Sequence, residues 1–486
     1  MSEKAPLRNG ALLLRGGVVI DGTGAARYGA DLRIEDGRIS EIGADLVTRG
    51  ETEIDVGGRV VSPGFIDVHT HDDQLALASP QMLPKLSQGV TTVVVGNCGI
   101  SLAPLVHPNV PPPLNLLGGT DKYVFPTMQA YAQAVDAAQP AVNVVALVGH
   151  STLRVATMDD PYRPATKAEQ SQMIVLAQEA MRAGASGLST GTFYQTSAAA
   201  DAAEVVLLAR VAAEAGGIYV SHIRNESERI MESLEEAFSS AHEAAIPVVI
   251  SHHKCAGPAN WGRSVQTLAY IDAARRKQSI GLDAYPYIAG STVLRADLID
   301  GVIDVMVTWS EPYPSMSGRS LADIAREWGC TQHEACERLQ PGGAIYFQMR
   351  EDDVRRVLKY EATMIGSDGL PHDKHPHPRL WGTFPRVLGR YARELGLFSL
   401  EEAVHRMTGL SARQFNLKGR GEISVGNVAD LVVFDSERVI DRATYDNPTV
   451  TADGIDLVMV KGEIAYRDHR PTGVRVGRFL RREPRG

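Results

Sequence analysis

Six side chains of metal-ligand type fall at one kind of position in this 486-residue sequence. His69 and His71 close the run Phe65-Ile66-Asp67-Val68-His69-Thr70-His71. Cys98 closes Val90–Cys98, His222 closes Gly217–His222, His252 closes Ile246–His252, and Asp368 closes Thr363–Asp368. Two positions apart on an extended chain, the imidazoles of His69 and His71 point to the same face. A lone histidine at a strand end is more often structural than chemical. Several such groups ending successive strands need a common explanation. Imidazole, thiolate and carboxylate are the donors zinc prefers, and a catalytic zinc keeps one position open. Such a centre polarises a carbonyl, and an adjacent carboxylate, here Asp368, takes a proton from water and hands it to a departing amine. The chemistry expected of such a centre is hydrolysis at a carbonyl.

For these groups to meet, the elements that carry them must share one end. Between residues 64 and 420, apolar strands alternate with longer helical patterns, the signature of βα units and a parallel sheet. Eight strands are expected: Gly64–His71, Val90–Cys98, Val142–His150, Ala185–Thr190, Gly217–His222, Ile246–His252, Ser279–Tyr285 and Thr363–Asp368. Near-continuous Val/Ile runs suit strands covered on both faces. Asp201–Ala215 opens with Asp201 and Glu204 in capping-box spacing, and Ser227–Ala245 places Ile230, Leu234, Phe238 and Ala241 on one face. Eight units close most economically into a barrel, whose active sites lie at the C-terminal ends of the strands. The interval 286–349 is too long for a simple crossover and reads as a lid or subdomain.

Both ends of the chain differ from this middle. Leu12–Ile20, Asp31–Ile34, Arg38–Ile42 and Gly58–Ser62 are short strands with Asp-Gly and Gly-Gly turns, and Asp430–Phe434, Leu457–Val460 and Gly462–Tyr466 share that texture. The expected architecture is α/β: a (β/α)8 TIM-like barrel over 64–420 and a small β-sandwich domain built from 1–63 and 421–486.

The bulk properties narrow the partners. A net charge of −9 with no basic block argues against nucleic acid. Cys98, Cys255, Cys330 and Cys336 are too few for a disulfide framework, and the Cys330–Cys336 spacing matches no zinc clip. A reducing, cytoplasmic setting is expected. Met1–Gly10 is polar, and the apolar run Ala11–Leu14 is too short for a signal core or a membrane span, so no membrane association is expected.

The same residues carry a family resemblance. Gly64–His71 resembles the opening motif of the amidohydrolase superfamily. Gly96-Asn97-Cys98-Gly99, Ser221-His222-Ile223-Arg224-Asn225-Glu226, Ser251-His252-His253-Lys254 and Gly366-Ser367-Asp368-Gly369 resemble motifs of its D-aminoacylase branch. Gly426-Asn427-Val428-Ala429-Asp430-Leu431 resembles the returning β-segment, so the likeness spans nearly the whole chain. It implies one tightly bound zinc on Cys98, His222 and His252. It also implies a second, weaker or empty metal position at His69, His71 and Asp368, with Asp368 the catalytic base. Many superfamily members bridge two metals with a carbamylated lysine ending the fourth strand. Here that strand ends Leu188-Ser189-Thr190-Gly191, with no lysine, and the resemblance then implies that Cys98 takes the bridging place.

The implied substrate is an N-acyl-D-amino acid, split into a carboxylate and a free D-amino acid; D-enantiomer preference comes from the resemblance alone. Its α-carboxylate needs cations and donors outside the metal shell. Lys254 lies two residues beyond His252, Arg379 follows Asp368 closely in sequence and could fold over the mouth, and Tyr194 and Tyr285 follow strands four and seven. By the resemblance these form a carboxylate clamp. Arg295, at the start of the insertion, could pair with a side-chain carboxylate and so favour N-acyl-D-glutamate. Hydrolysis of a cyclic amide is the enzymatic alternative, disfavoured by the missing strand-four lysine and by Lys254 and Arg379. A catalytically inactive scaffold is disfavoured because every ligand is kept.

Overall fold

The computed structural model describes residues 10–483. The polar segment 1–9 lies outside the described residues. Eight parallel strands pair in sequence order: β1 (Phe65–Asp67), β2 (Val90–Val95), β3 (Asn143–Gly149), β4 (Gly187–Gly191), β5 (Ile218–His222), β6 (Val248–Ile250), β7 (Ile280–Ala284) and β8 (Thr363–Ile365). Every residue of β2 and β3 is buried. Val94, Val145, Leu147, Val220, Val249 and Met364 fill the barrel interior. Among the described residues the last strand joins the first at one end, where Thr70 bridges Gly369 and the Asp368 N–H donates to the His69 carbonyl at 2.7 Å. That end carries the expected ligands.

The observed strands are shorter than the apolar runs. Only His222 still lies within its strand; His69, His71, Cys98, His252 and Asp368 follow theirs. Cys98, His252 and Asp368 have positive φ of 55°, 35° and 51°. Each such residue costs about 1–3 kcal/mol, a strain that concentrates at functional sites. The chain has therefore already turned when it presents three of the ligands, so strand alternation does not aim them. His150, expected to end β3, instead begins the helix His150–Thr157.

Asp201 caps the helix Ala202–Glu214 by accepting from the Glu204 N–H, but the Glu204 carboxylate does not complete a capping box. It turns inward to His150 Nε2 at 2.8 Å and to Arg154 at 2.5 Å. Both partners are fully buried, and a buried cation demands such pairing more than a helix end does.

Strands from the two chain ends form one nine-stranded sheet, joined where Leu431–Phe434 runs antiparallel to Val60–Pro63. Thr52–Asp55 and Arg470–Pro471, not expected from the sequence, belong to it. Leu14, Leu32, Val61, Leu431 and Met459 form its own core. Within 286–349 lie an antiparallel sheet of Gly290–Val293, Val305–Ser310 and Gly342–Tyr346 and the helices Leu321–Trp328 and Gln332–Leu339. A separate cluster around Leu294, Val307, Ile324 and Leu339 holds them.

The last described residues return to the far end of the barrel. Val144 N–H donates to Arg478 O at 3.0 Å, Leu480 N–H donates to Val144 O at 2.8 Å, and Phe479 is buried between them. The Phe479 N–H also donates to Asp136 Oδ1 at 2.9 Å. Among the described residues no helix is long and apolar enough to cross a membrane.

Candidate metal centre

Cys98 stands at the meeting point of two groups of donors. His69, His71, Cys98 and Asp368 form one, and Cys98, His222 and His252 form the other; within each group the donor atoms lie within 4.8 Å of one another. Cys98 Sγ is 3.2 Å from His69 Nε2 and 3.4 Å from His252 Nε2. His252 Nε2 is 3.0 Å from His222 Nδ1. Asp368 Oδ1 is 3.2 Å from His71 Nε2 and 3.4 Å from His69 Nε2. All six residues are buried.

This donor set suits a cation. Burial pushes the Cys98 thiol up, yet His69 and His252 outweigh it and hold the group well below its ordinary value, as a thiolate. Burial likewise opposes ionisation of Asp368, but Arg379 and His69 hold it well below the usual carboxylate range. A thiolate and converging imidazole lone pairs are what zinc takes, with both nitrogen and sulfur donors present.

Partners outside the predicted ligand set orient these donors. Asp283, the penultimate residue of β7, lies 3.3 Å from His69 Nδ1, and its other oxygen accepts from the His252 N–H at 2.9 Å. Glu226 Oε1 is 3.0 Å from His252 Nδ1 and 2.6 Å from Lys254 Nζ. Fixing the remote ring nitrogen this way selects the tautomer and aims the other nitrogen inward. Beneath His69, the fully buried Lys85 Nζ reaches Asp67 at 2.8 Å, Asp72 at 3.2 Å and Ser367 Oγ at 2.9 Å. Ser367 N–H donates to Asp67 Oδ1 at 2.8 Å. The cluster ties the loop after β1 to the loop bearing Asp368. One signal for these residues was available: Asp67, Lys85 and Asp283 are charges inside apolar runs, and buried charges need partners.

The end of β4 has a steric character as well. A Cβ on Gly191 would lie 2.1 Å from Cys98 O, so the loop carrying the cysteine packs directly on the place where a strand-four side chain would begin.

A cavity of about 420 Å³ opens over the donors. His71, His222, His252 and Asp368 line it, as do Tyr194, Lys254, Tyr285 and Arg295. The Tyr194 hydroxyl is 3.0 Å from Thr292 Oγ1. Among the described residues the Tyr285 hydroxyl has no hydrogen-bond partner. Lys254 lies in the loop after β6 rather than on the strand. Arg379 does not fold over the mouth: it is fully buried, 2.9 Å from Asp368 Oδ2, with its guanidinium 4.5 Å from the Tyr285 ring centroid. It opens the helix Arg379–Arg386, and a cation at that depth is held by the carboxylate it neutralises. Arg295 sits at the cavity wall, its guanidinium 4.6 Å over the Phe193 ring, and Phe193 stacks on His222 at 4.9 Å.

The amidohydrolase family model matches residues 52–265 and 218–466, most of the chain. The chain belongs to the amidohydrolase family. The D-aminoacylase of Alcaligenes xylosoxydans xylosoxydans is 51% identical to this amidohydrolase over 471 residues, covering 97% of each chain. The N-acyl-D-glutamate deacylase of the same organism is 48% identical over 474 residues, covering 97% of this chain and 96% of its own. The crystal structure of N-acyl-D-glutamate deacylase from Bordetella bronchiseptica, in complex with zinc and a phosphonate mimic of the tetrahedral intermediate, superposes with a TM-score of 0.94 at 49% identity. It covers 97% of this amidohydrolase and 99% of that chain.

Proposed function

We propose that this amidohydrolase cleaves the amide bond of N-acyl-D-amino acids, releasing a carboxylate and a free D-amino acid. The observation that carries the reading is the convergence of Cys98, His222 and His252 beside Asp368 under a cavity that also holds a lysine and an unpaired tyrosine hydroxyl. Cys98, His222 and His252 would hold the tightly bound zinc, with His69, His71 and Asp368 completing a second, weaker position around the same sulfur. When bound, zinc polarises the amide carbonyl and acidifies water.

The protein's own groups supply the remainder. Asp368 Oδ1 takes the proton of the attacking water and delivers it to the amide nitrogen as the C–N bond breaks. With His252 Nε2 directed at the metal position, its proton sits on Nδ1 and is donated to Glu226. Lys254 Nζ also lies 2.8 Å from His252 Nδ1, which in this tautomer carries a proton and cannot accept, so Lys254 donates to Glu226 and to the His252 carbonyl, at 3.0 Å, and its third N–H is left for the cavity. That N–H and the Tyr285 hydroxyl bind the substrate α-carboxylate, and Tyr194 shapes the wall beside it. Arg379, sealed beneath, acts through Asp368 by keeping it ionised and fixed.

A panel of N-acetyl-D- and N-acetyl-L-amino acids, read with ninhydrin alongside metal analysis, tests this. The expected result is free amine from D-substrates only, in preparations that contain zinc. Full activity in verified metal-free protein, or turnover of L-substrates alone, would overturn it.

Arg295 extends the reading to an acidic side chain. A charge-assisted pair with the D-glutamate γ-carboxylate is worth about 1.5–3 kcal/mol. Arg295→Ala is therefore expected to lower kcat/KM for N-acetyl-D-glutamate about 10- to 100-fold and to leave N-acetyl-D-leucine nearly unchanged. Equal rates for both substrates in the wild type would remove the side-chain preference.

A further inference from the structure

Arg295 is not free to act as a bare cation. Its Nε donates to Asp297 Oδ1 at 2.9 Å and its Nη2 to Asp297 Oδ2 at 2.5 Å, so one full edge of the guanidinium fork is taken. Nη1 makes a longer contact of 3.4 Å with the Phe193 carbonyl. The Asp297 side chain is 62% exposed and that of Arg295 only 19%. Both residues line the catalytic cavity, and both also line a neighbouring cavity of about 740 Å³. The pair stands at the boundary between the two spaces, within reach of whatever group a substrate extends past Phe193.

We infer that Asp297 is a specificity-determining residue, an internal carboxylate that offsets Arg295 and weakens the selection for acidic side chains. This rests on the reading of Arg295 as the side-chain contact. The physical case has two parts. A carboxylate arriving at a neutralised guanidinium gains less Coulomb attraction than at a bare one, and meets the charge of Asp297 itself. A neutral side chain meets neither effect, because it draws nothing from the net charge at this corner. An ion pair this open to water is worth only about 0–1 kcal/mol, so the substrate carboxylate can displace it but loses that increment. Asp297 therefore sets the ratio between acidic and neutral substrates rather than the rate of the chemical step.

The experiment measures kcat and KM for N-acetyl-D-glutamate and N-acetyl-D-leucine with the wild type, Asp297→Asn, Asp297→Glu and Arg295→Ala. For Asp297→Asn the expected result is a fall in KM for the glutamate substrate by about three- to fivefold. Its kcat should stay unchanged, and the leucine substrate should be unaffected. Asp297→Glu keeps the charge and should behave like the wild type, which a merely structural role for the residue would not produce. The glutamate preference of Asp297→Asn should also vanish when Arg295→Ala is added. An unchanged or raised KM for the glutamate substrate in Asp297→Asn, or an equal gain for both substrates, overturns the inference while leaving the deacylase reading intact. If the wild type hydrolyses neither substrate, or Arg295→Ala fails to move their ratio, the parent reading fails and takes this one with it.

Discussion

Replacing Asp368 will lower kcat by about 10²- to 10⁴-fold, the usual contribution of a positioned general base, while the protein still binds zinc. The structure decides which substitution isolates that effect. Arg379 is fully buried and lies 2.9 Å from Asp368 Oδ2, so alanine leaves a guanidinium without its counter-charge. Breaking a buried pair in this way costs about 3–5 kcal/mol, and some of the lost activity would then come from lost fold. Asp368→Asn also removes the charge, but it keeps the volume and an acceptor oxygen for Arg379 and cannot take a proton. The expected result is a cooperative melt above that of Asp368→Ala though below that of the wild type, zinc retained at Cys98, His222 and His252, and KM changed far less than kcat. Asp368→Asn retaining most of the wild-type kcat would remove the carboxylate from the base role.

The second large effect belongs to Cys98. Its sulfur lies 3.2 Å from His69 Nε2 and 3.4 Å from His252 Nε2 and belongs to both donor groups, so Cys98→Ala removes a ligand from each at once. Zinc per chain should fall together with kcat, each by at least an order of magnitude at limiting metal. The side chain is small and sits at positive φ, where alanine is no worse accommodated than cysteine, so folding should survive. Cys98→Ser separates sulfur chemistry from volume: a hydroxyl fills the space but offers zinc a poorer donor than thiolate. Metal content measured on each folded variant is the check. Unchanged zinc stoichiometry in Cys98→Ala would mean that the cysteine is only a packed core residue.

What the sequence discloses about this centre follows from local periodicity. Val93-Val94-Val95 running into Gly96-Asn97-Cys98, or Val248-Val249-Ile250 into Ser251-His252, shows a buried strand that ends on a ligand-type side chain. Eight buried strands in order, five of them ending this way, can close in few ways. The partners that aim the ligands are legible only as anomalies, because the contacts join distant positions. Asp283 meets His69 across 214 residues and Lys85 meets Ser367 across 282. The position of Arg379 likewise depends on a contact that its spacing from Asp368 does not show: the helix it begins brings its guanidinium against that carboxylate. Lys254 reaches the cavity, but through a loop, since β6 ends at Ile250.

The docking of Phe479 against the barrel has a consequence for biosynthesis. The third strand acquires its last backbone partner from Arg478–Leu480, and Phe479 meets Asp136 across 343 positions. At about 5–20 residues per second, ribosomal elongation between those two points lasts on the order of tens of seconds. Throughout that time the nascent barrel has an unfinished floor, and a chain released without its last segment keeps it unfinished. The third strand can therefore gain this partner only after residues 478–480 have left the ribosome, and until then a chaperone can still act on the barrel floor.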